Sequence, residues 1–105
     1  MDIQDVIKQQ VTSNPVVVYM KGTPAAPRCG FSANAINILN ALGVKDIFTV
    51  DILANDDIRK GIIDYANWPT VPQIYINGEF IGGSDIMTEM YQNGELKTLL
   101  SKIAA

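Results

Sequence analysis

Val16-Val17-Val18-Tyr19-Met20, then Lys21-Gly22-Thr23-Pro24-Ala25-Ala26-Pro27-Arg28, then Cys29-Gly30-Phe31-Ser32, is the stretch from which the fold builds outward. The first five residues are apolar without a break and rich in β-branched side chains. That reads as a central strand buried on both faces. The segment from Lys21 to Arg28 contains Gly22, Pro24 and Pro27 and reads as a loop. From Cys29 the pattern turns helical. Ala35, Ile36, Leu39 and Leu42 recur at helical spacing, and Gly43 suits the C-terminal cap. A strand thus runs through a loop into a helix, with a thiol at the junction.

Upstream, Ile3, Val6, Ile7 and Val11 share one face of a short helix, which Asp2 can cap and Asn14-Pro15 ends. Downstream, Ile47-Phe48-Thr49-Val50 reads as a second strand. Asn55 can cap a helix carrying Ile58, Ile62, Ile63 and Ala66, with Asp56 and Asp57 at the positive end of its dipole. Trp68-Pro69-Thr70-Val71-Pro72 breaks that helix. Gln73-Ile74-Tyr75-Ile76, Asn77-Gly78 and Glu79-Phe80-Ile81 read as strand, turn and strand, because Asn-Gly between apolar runs is a strong hairpin signal. After Gly82-Gly83, Ser84 or Asp85 can cap a helix through Met87, Met90 and Tyr91. Gly94 punctuates it, and Leu96, Leu99, Leu100 and Ile103 form a last helix.

A strand–helix–strand unit implies a parallel, right-handed crossover, and the hairpin adds an antiparallel pair. The economical α/β solution is a four-stranded mixed sheet flanked by about five helices. The 105 residues suffice for one domain, 1–105, with one modest core. Thioredoxin-like folds have this order, and other α/β sandwiches can share it.

The chain has one cysteine and no histidine. Alone it has no internal disulfide, no Cys/His zinc site and no Cys–His or Ser–His pair, and it cannot cycle a dithiol of its own. Sulfur or metal chemistry here must borrow ligands from outside. The net charge of −3 and the lack of any basic run argue against a nucleic-acid partner. The longest apolar segment, Val16–Met20, falls far short of the roughly 20 residues that span a bilayer, so no membrane partner is expected. The start, Met1-Asp2-Ile3-Gln4-Asp5, is acidic, unlike a secretory or transit signal. The expected compartment is the reducing cytoplasm, with Cys29 a free thiol.

Cys29 has two readings. Free cysteines are often buried and inert. A cysteine that opens a helix after a Pro/Gly loop instead meets unpaired N–H groups and partial positive charge, which favour a reactive thiolate. Lys21 and Arg28 are near in sequence, and the second reading is preferred. Cys29-Gly30-Phe31-Ser32 has C-x-x-C spacing with oxygen in the second position. A hydroxyl cannot resolve a mixed disulfide. Ser32 is then either a hydrogen-bond donor to the thiolate or an ordinary first-turn residue. By base rate Val71-Pro72 is trans, while a cis bond would turn the Val71 backbone groups toward an extended ligand. Gly82-Gly83-Ser84-Asp85, at a strand-to-helix junction, suits a carboxylate on backbone N–H groups or a plain helix cap. Lys21 and Arg59 read alone as solvated charges, and Trp68 as a packing anchor.

Taken together, Met20-Lys21-Gly22-Thr23-Pro24, Cys29-Gly30-Phe31-Ser32, Trp68-Pro69-Thr70-Val71-Pro72-Gln73 and Gly82-Gly83-Ser84-Asp85 resemble, in order and spacing, the monothiol glutaredoxins of the CGFS type. The likeness covers nearly the whole chain and points to the short form found in bacteria and organelles. It implies a thioredoxin-like fold that binds glutathione. By this resemblance Cys29 is the reactive thiol and metal-cluster ligand. Lys21 and Arg59 hold the glycine carboxylate, Val71 before a cis Pro72 pairs with the cysteine backbone, Ser84 and Asp85 take the γ-glutamyl end, and Phe31 lines the pocket. Many members carry a second cysteine where Ser84 stands. The serine keeps the capping oxygen but removes any disulfide with Cys29.

The resemblance further implies a 2Fe–2S cluster, bound and passed to apo iron–sulfur proteins. Such a cluster takes four thiolates. Two chains and two glutathiones supply them, which makes the cluster-bound form a homodimer. A heterodimer with a BolA-like protein is the other implied assembly. The competing readings are a glutathione-dependent thiol–disulfide oxidoreductase working by a monothiol route, and a non-redox binding module with an inert Cys29.

Overall fold

Strand β1 (Val16–Met20) lies inside a four-stranded sheet of order β4-β1-β5-β6, formed with β4 (Phe48–Asp51), β5 (Gln73–Ile76) and β6 (Glu79–Gly82). The computed structural model describes residues 2–102. β1 pairs parallel with β4, as the helical crossover requires, and antiparallel with β5. β5 and β6 form the hairpin. Its turn residues Asn77 and Gly78 take φ of 56° and 83°, the paired positive values that Asn-Gly tolerates and most residues do not.

Every residue of β1 is buried, so the strand reads as a continuous apolar run and yet serves two cores. Val16, Val18 and Met20 meet α2 (Gly30–Ala41), α4 (Ser84–Asn93) and α5 (Glu95–Ser101) through Leu39, Met87 and Leu96. Val17 and Tyr19 meet α1 (Ile3–Ser13) and α3 (Asp56–Ala66) through Ile7, Val11, Ile58 and Ile62. The period of two along the strand makes this division. Each fully buried aliphatic side chain contributes about 1.5–3 kcal/mol.

The expected helix signals operate. Asp2 accepts from the Gln4 N–H, and Asn55 accepts from the Ile58 N–H at 3.1 Å. Past α2, the Val44 N–H reaches the Leu39 carbonyl and the Gly43 N–H reaches Asn40, the paired bonds of a Schellman end.

The structure differs from the expected pattern at several points. The Lys21–Arg28 segment holds a small antiparallel ladder, β2 (Gly22–Thr23) with β3 (Ala26–Pro27), rather than plain loop. The second strand runs from Phe48 to Asp51, one residue later than the apolar run suggests, because its register is set by pairing with β1. α4 begins at Ser84 with Gly83 as its N-cap residue, and no side chain caps it. Neither Ser84 nor Asp85 plays that part. Ile103, assigned to the last helix, lies outside the described residues.

Candidate functional site

The hairpin after β1 delivers Cys29 to the start of α2. Its base is closed by the Arg28 N–H donating to the Lys21 carbonyl at 2.8 Å. The Gly22 N–H donates to Asp51 Oδ1 at 2.9 Å, which ties the hairpin to the end of β4. Cys29 is the N-cap residue of α2 and has extended backbone geometry. Its thiol is free and the residue is partly exposed, not buried.

The sulfur closes no capping hydrogen bond of good geometry, but the helix start still acts on it. The Ser32 backbone N–H is the largest influence holding the thiol below its usual range, and burial opposes it. The Phe31 N–H, the Lys21 charge and the Ser32 hydroxyl add to the lowering. The helix terminus thus favours a thiolate. Ser32 is fully buried, and its Oγ accepts from the Lys21 N–H at 3.2 Å. It is therefore more than an ordinary first-turn residue.

A cavity of about 750 Å³ opens beside the thiol. Lys21, Cys29, Phe31, Arg59, Val71, Pro72, Ser84 and Asp85 all line it, so the fold brings together every site residue expected from the sequence. Lys21 follows β1 and Arg59 projects from α3. The Arg59 guanidinium lies 2.9 Å from Asp56 Oδ1, and Lys60 approaches the other carboxylate oxygen at 3.1 Å. The hydrogen bonds from Lys60 and Arg59 hold the Asp56 carboxyl below its usual value. Phe31 is 62% exposed, a large apolar surface beside the thiol. The Val71-Pro72 bond is cis. No hydrogen bond involves the Val71 backbone among the described residues.

Ser84 is buried at the other wall, where Asn34 Nδ2 donates to its Oγ at 2.8 Å and to Thr88 Oγ1 at 2.9 Å. Its hydroxyl is thus engaged with α2, and because α4 starts at Ser84 itself, Gly83 and not Ser84 holds the cap position. Gly83 has no side chain to cap with, so the first-turn N–H groups of α4 lack a side-chain acceptor.

Sequence reasoning did not assign Asn34 to the site, and it read Trp68 only as a packing anchor. The Trp68 ring does pack on Phe80, with centroids 5.6 Å apart. It also lines the cavity, and its buried Nε1 has no partner among the described residues. Gln73 holds this segment from below, donating to the Trp68 carbonyl at 3.1 Å and accepting from the Tyr75 hydroxyl at 3.0 Å. The clue to Asn34 is weak: a polar residue beside the apolar face of α2, whose partners lie far along the chain.

Among the described residues, no group of three or more His, Cys, Asp or Glu side chains could hold a metal. A metal at Cys29 therefore needs ligands from elsewhere. No helix among these residues is long and apolar enough to cross a membrane.

Residues 16–81 match the glutaredoxin family model. The chain is 60% identical over 94 residues to an uncharacterized monothiol glutaredoxin ycf64-like protein of Synechocystis, covering 90% of this chain and 87% of that one. The solution structure of reduced poplar apo GrxS14 superposes with a TM-score of 0.84 at 42% identity, covering 97% of this chain and 96% of that one. The crystal structure of a buckwheat glutaredoxin–glutathione complex gives a TM-score of 0.84 at 27% identity, covering 95% and 88%.

Proposed function

This chain belongs to the glutaredoxin family as a monothiol member, and on that premise we propose that it binds glutathione and carries a 2Fe–2S cluster to apo iron–sulfur proteins. The observation that carries the reading is the setting of one activated thiol. Cys29 opens onto a cavity lined by cations and by an uncapped helix start, and the chain has no second thiol.

Glutathione is a tripeptide with a thiol and a carboxylate at each end. Lys21 and Arg59 suit its glycine carboxylate. The free Val71 backbone groups, before Pro72, suit its extended cysteine. The Ser84 and Asp85 N–H groups suit the γ-glutamyl carboxylate, and the Asp85 side chain suits its ammonium. Phe31 covers the apolar part of the ligand. The bound thiol would then lie beside the Cys29 thiolate.

The cluster is cargo, and the donor set fits it only in an assembly. A 2Fe–2S cluster takes four thiolates. Each chain offers one, so two chains and two glutathiones complete the set. A homodimer follows from this count, and a BolA-like partner replacing one chain is the alternative assembly. Because two ligands are exchangeable tripeptides, the cluster should leave readily for an apoprotein. A reducing cytoplasm, where Cys29 stays a thiol, suits this role.

The lowered Cys29 thiol also favours a second activity. Its thiolate would attack the glutathione sulfur of a protein–glutathione disulfide and release the protein thiolate. A second glutathione thiolate would attack the resulting Cys29 disulfide, giving oxidised glutathione and free Cys29. Ser32 cannot resolve that intermediate, so each turnover waits for an outside thiol.

Anaerobic reconstitution with iron, sulfide and glutathione tests the main reading. The expected product is a coloured dimer that requires both Cys29 and glutathione and passes its cluster to an apo-ferredoxin. A colourless product, or an unchanged cluster on Cys29→Ser, would overturn it. A glutathione-coupled disulfide assay measures the second activity.

A further inference from the structure

Both amide hydrogens of Asn34 are committed across the contact between α2 and α4. Nδ2 lies 2.8 Å from Ser84 Oγ and 2.9 Å from Thr88 Oγ1. The Thr88 hydroxyl in turn donates to the Ser84 carbonyl at 3.0 Å. Three side chains thus close a ring through the first turn of α4. The two amide hydrogens diverge at a fixed angle, so sliding or tilting of α4 against α2 would break at least one bond.

This ring replaces the anchorage that a cap would give. Gly83 contributes no side chain, and the Ser84 hydroxyl is engaged by α2 rather than by the N–H groups of its own helix. Asn34 lies on the same helix that presents Cys29. It also lines a smaller hollow, of about 410 Å³, beside Cys29, Phe31, Ser84 and Asp85. The ring is therefore the direct polar link between the thiol-bearing helix and the far wall of the cavity.

We propose that Asn34 is a positioning residue that fixes the start of α4 relative to the Cys29 thiol, and so selects γ-glutamyl thiol peptides over shorter ones. Asn34 touches no reacting atom. The inference rests on the glutathione reading. A ligand that spans from the thiol to α4 feels the position of α4, while a dipeptide lacking the γ-glutamyl group does not.

The test compares S-methylglutathione with S-methyl-Cys-Gly by NMR titration of the full chain. The wild-type protein should prefer S-methylglutathione. Asn34→Leu should weaken S-methylglutathione about tenfold, the scale of one or two lost hydrogen bonds, and leave S-methyl-Cys-Gly within about twofold. Thr88→Val removes one acceptor and one donor but keeps the Asn34–Ser84 bond. It should weaken S-methylglutathione about threefold, and it decides the matter if the Leu variant does not fold. Equal weakening of both ligands would mean a general structural role and would overturn the proposal, as would no weakening at all. A wild-type protein without preference would instead sink the glutathione reading beneath it.

Discussion

The buried Ser32 hydroxyl accepts a hydrogen bond from the Lys21 backbone N–H at 3.2 Å, joining the thiol-bearing helix to the end of the central strand. One side chain thereby couples packing to reactivity, because the same hydroxyl contributes to lowering the Cys29 thiol. Ser32→Ala should cost about 1–2 kcal/mol by leaving the Lys21 N–H without its partner. It should also raise the thiol part of the way back toward 9.0, since the Ser32 backbone N–H, the larger influence, remains. Urea unfolding and the pH midpoint of iodoacetamide alkylation read the two effects. An unmoved midpoint would show that the hydroxyl does not act on the sulfur.

The lowered thiol also makes stability depend on pH. The folded Cys29 gives up its proton at a lower pH than the unfolded one, so the unfolded chain holds more protons between the two values. Stability should rise with pH through that window. The contribution is fully present above 9.0 and is lost as pH falls through the lowered value. Cys29→Ser should flatten this part of the profile and leave the rest unchanged, measured as urea midpoints from pH 6 to 9.5.

The buried tyrosines should give the opposite slope at higher pH. Tyr19 donates to Gln10 Oε1 at 2.7 Å, Tyr75 donates to Gln73, and their rings meet edge to face at 5.7 Å. Burial is the main cause that pushes both phenols well above 10.0, with the neighbouring tyrosines adding to it. A raised folded value means stability that is present below 10.0 and lost as pH rises beyond it. Tyr75→Phe should make that alkaline loss shallower. At neutral pH it should cost about 1 kcal/mol, because Gln73 Oε1 loses its donor. A thermal-melting series from pH 8 to 11 separates the two effects.

The fold was legible where burial imposes a period. Val16–Met20 and Ile74-Tyr75-Ile76 are apolar runs because both sheet faces are covered, and Asp2, Asn55 and Asn77-Gly78 act within a few residues of themselves. The β2–β3 ladder was not legible, since its anchor is Asp51, on a different strand. Ser84 also differs from its local reading: its sequence suggests a cap, but the helix starts at Ser84 itself and its hydroxyl accepts from a side chain of α2. In the site, Cys29 could be read from its junction alone. Arg59 carries no local signal of function and is a candidate only through the family likeness, while Lys21 stands out only by its nearness to Cys29 and Val71 only if its bond to Pro72 is cis. Trp68 serves as both packing anchor and cavity wall, and only the folded geometry joins those roles.

Gly82 and Gly83 are adjacent in sequence and unequal in need. Gly82 has φ of +146°, and a Cβ there would lie 2.9 Å from the Ile86 Cβ, which cannot swing aside. Gly83 has φ of −99°, and its Cβ would meet the Pro72 carbonyl at 3.4 Å and the Trp68 ring from 3.6 Å, ordinary contacts. Gly82→Ala should therefore cost about 1–3 kcal/mol in backbone strain alone and push Ile86, with the start of α4, away from the cavity. Gly83→Ala should change stability by no more than about 0.5 kcal/mol. Trp68 is the chain's one tryptophan and lies against this junction, so its fluorescence reports unfolding in both variants. Glutathione affinity should fall in Gly82→Ala and hold within about threefold in Gly83→Ala, since the latter leaves the α4 N–H groups in place. Equal stability of the two variants would mean that the first glycine is not required by its backbone angle.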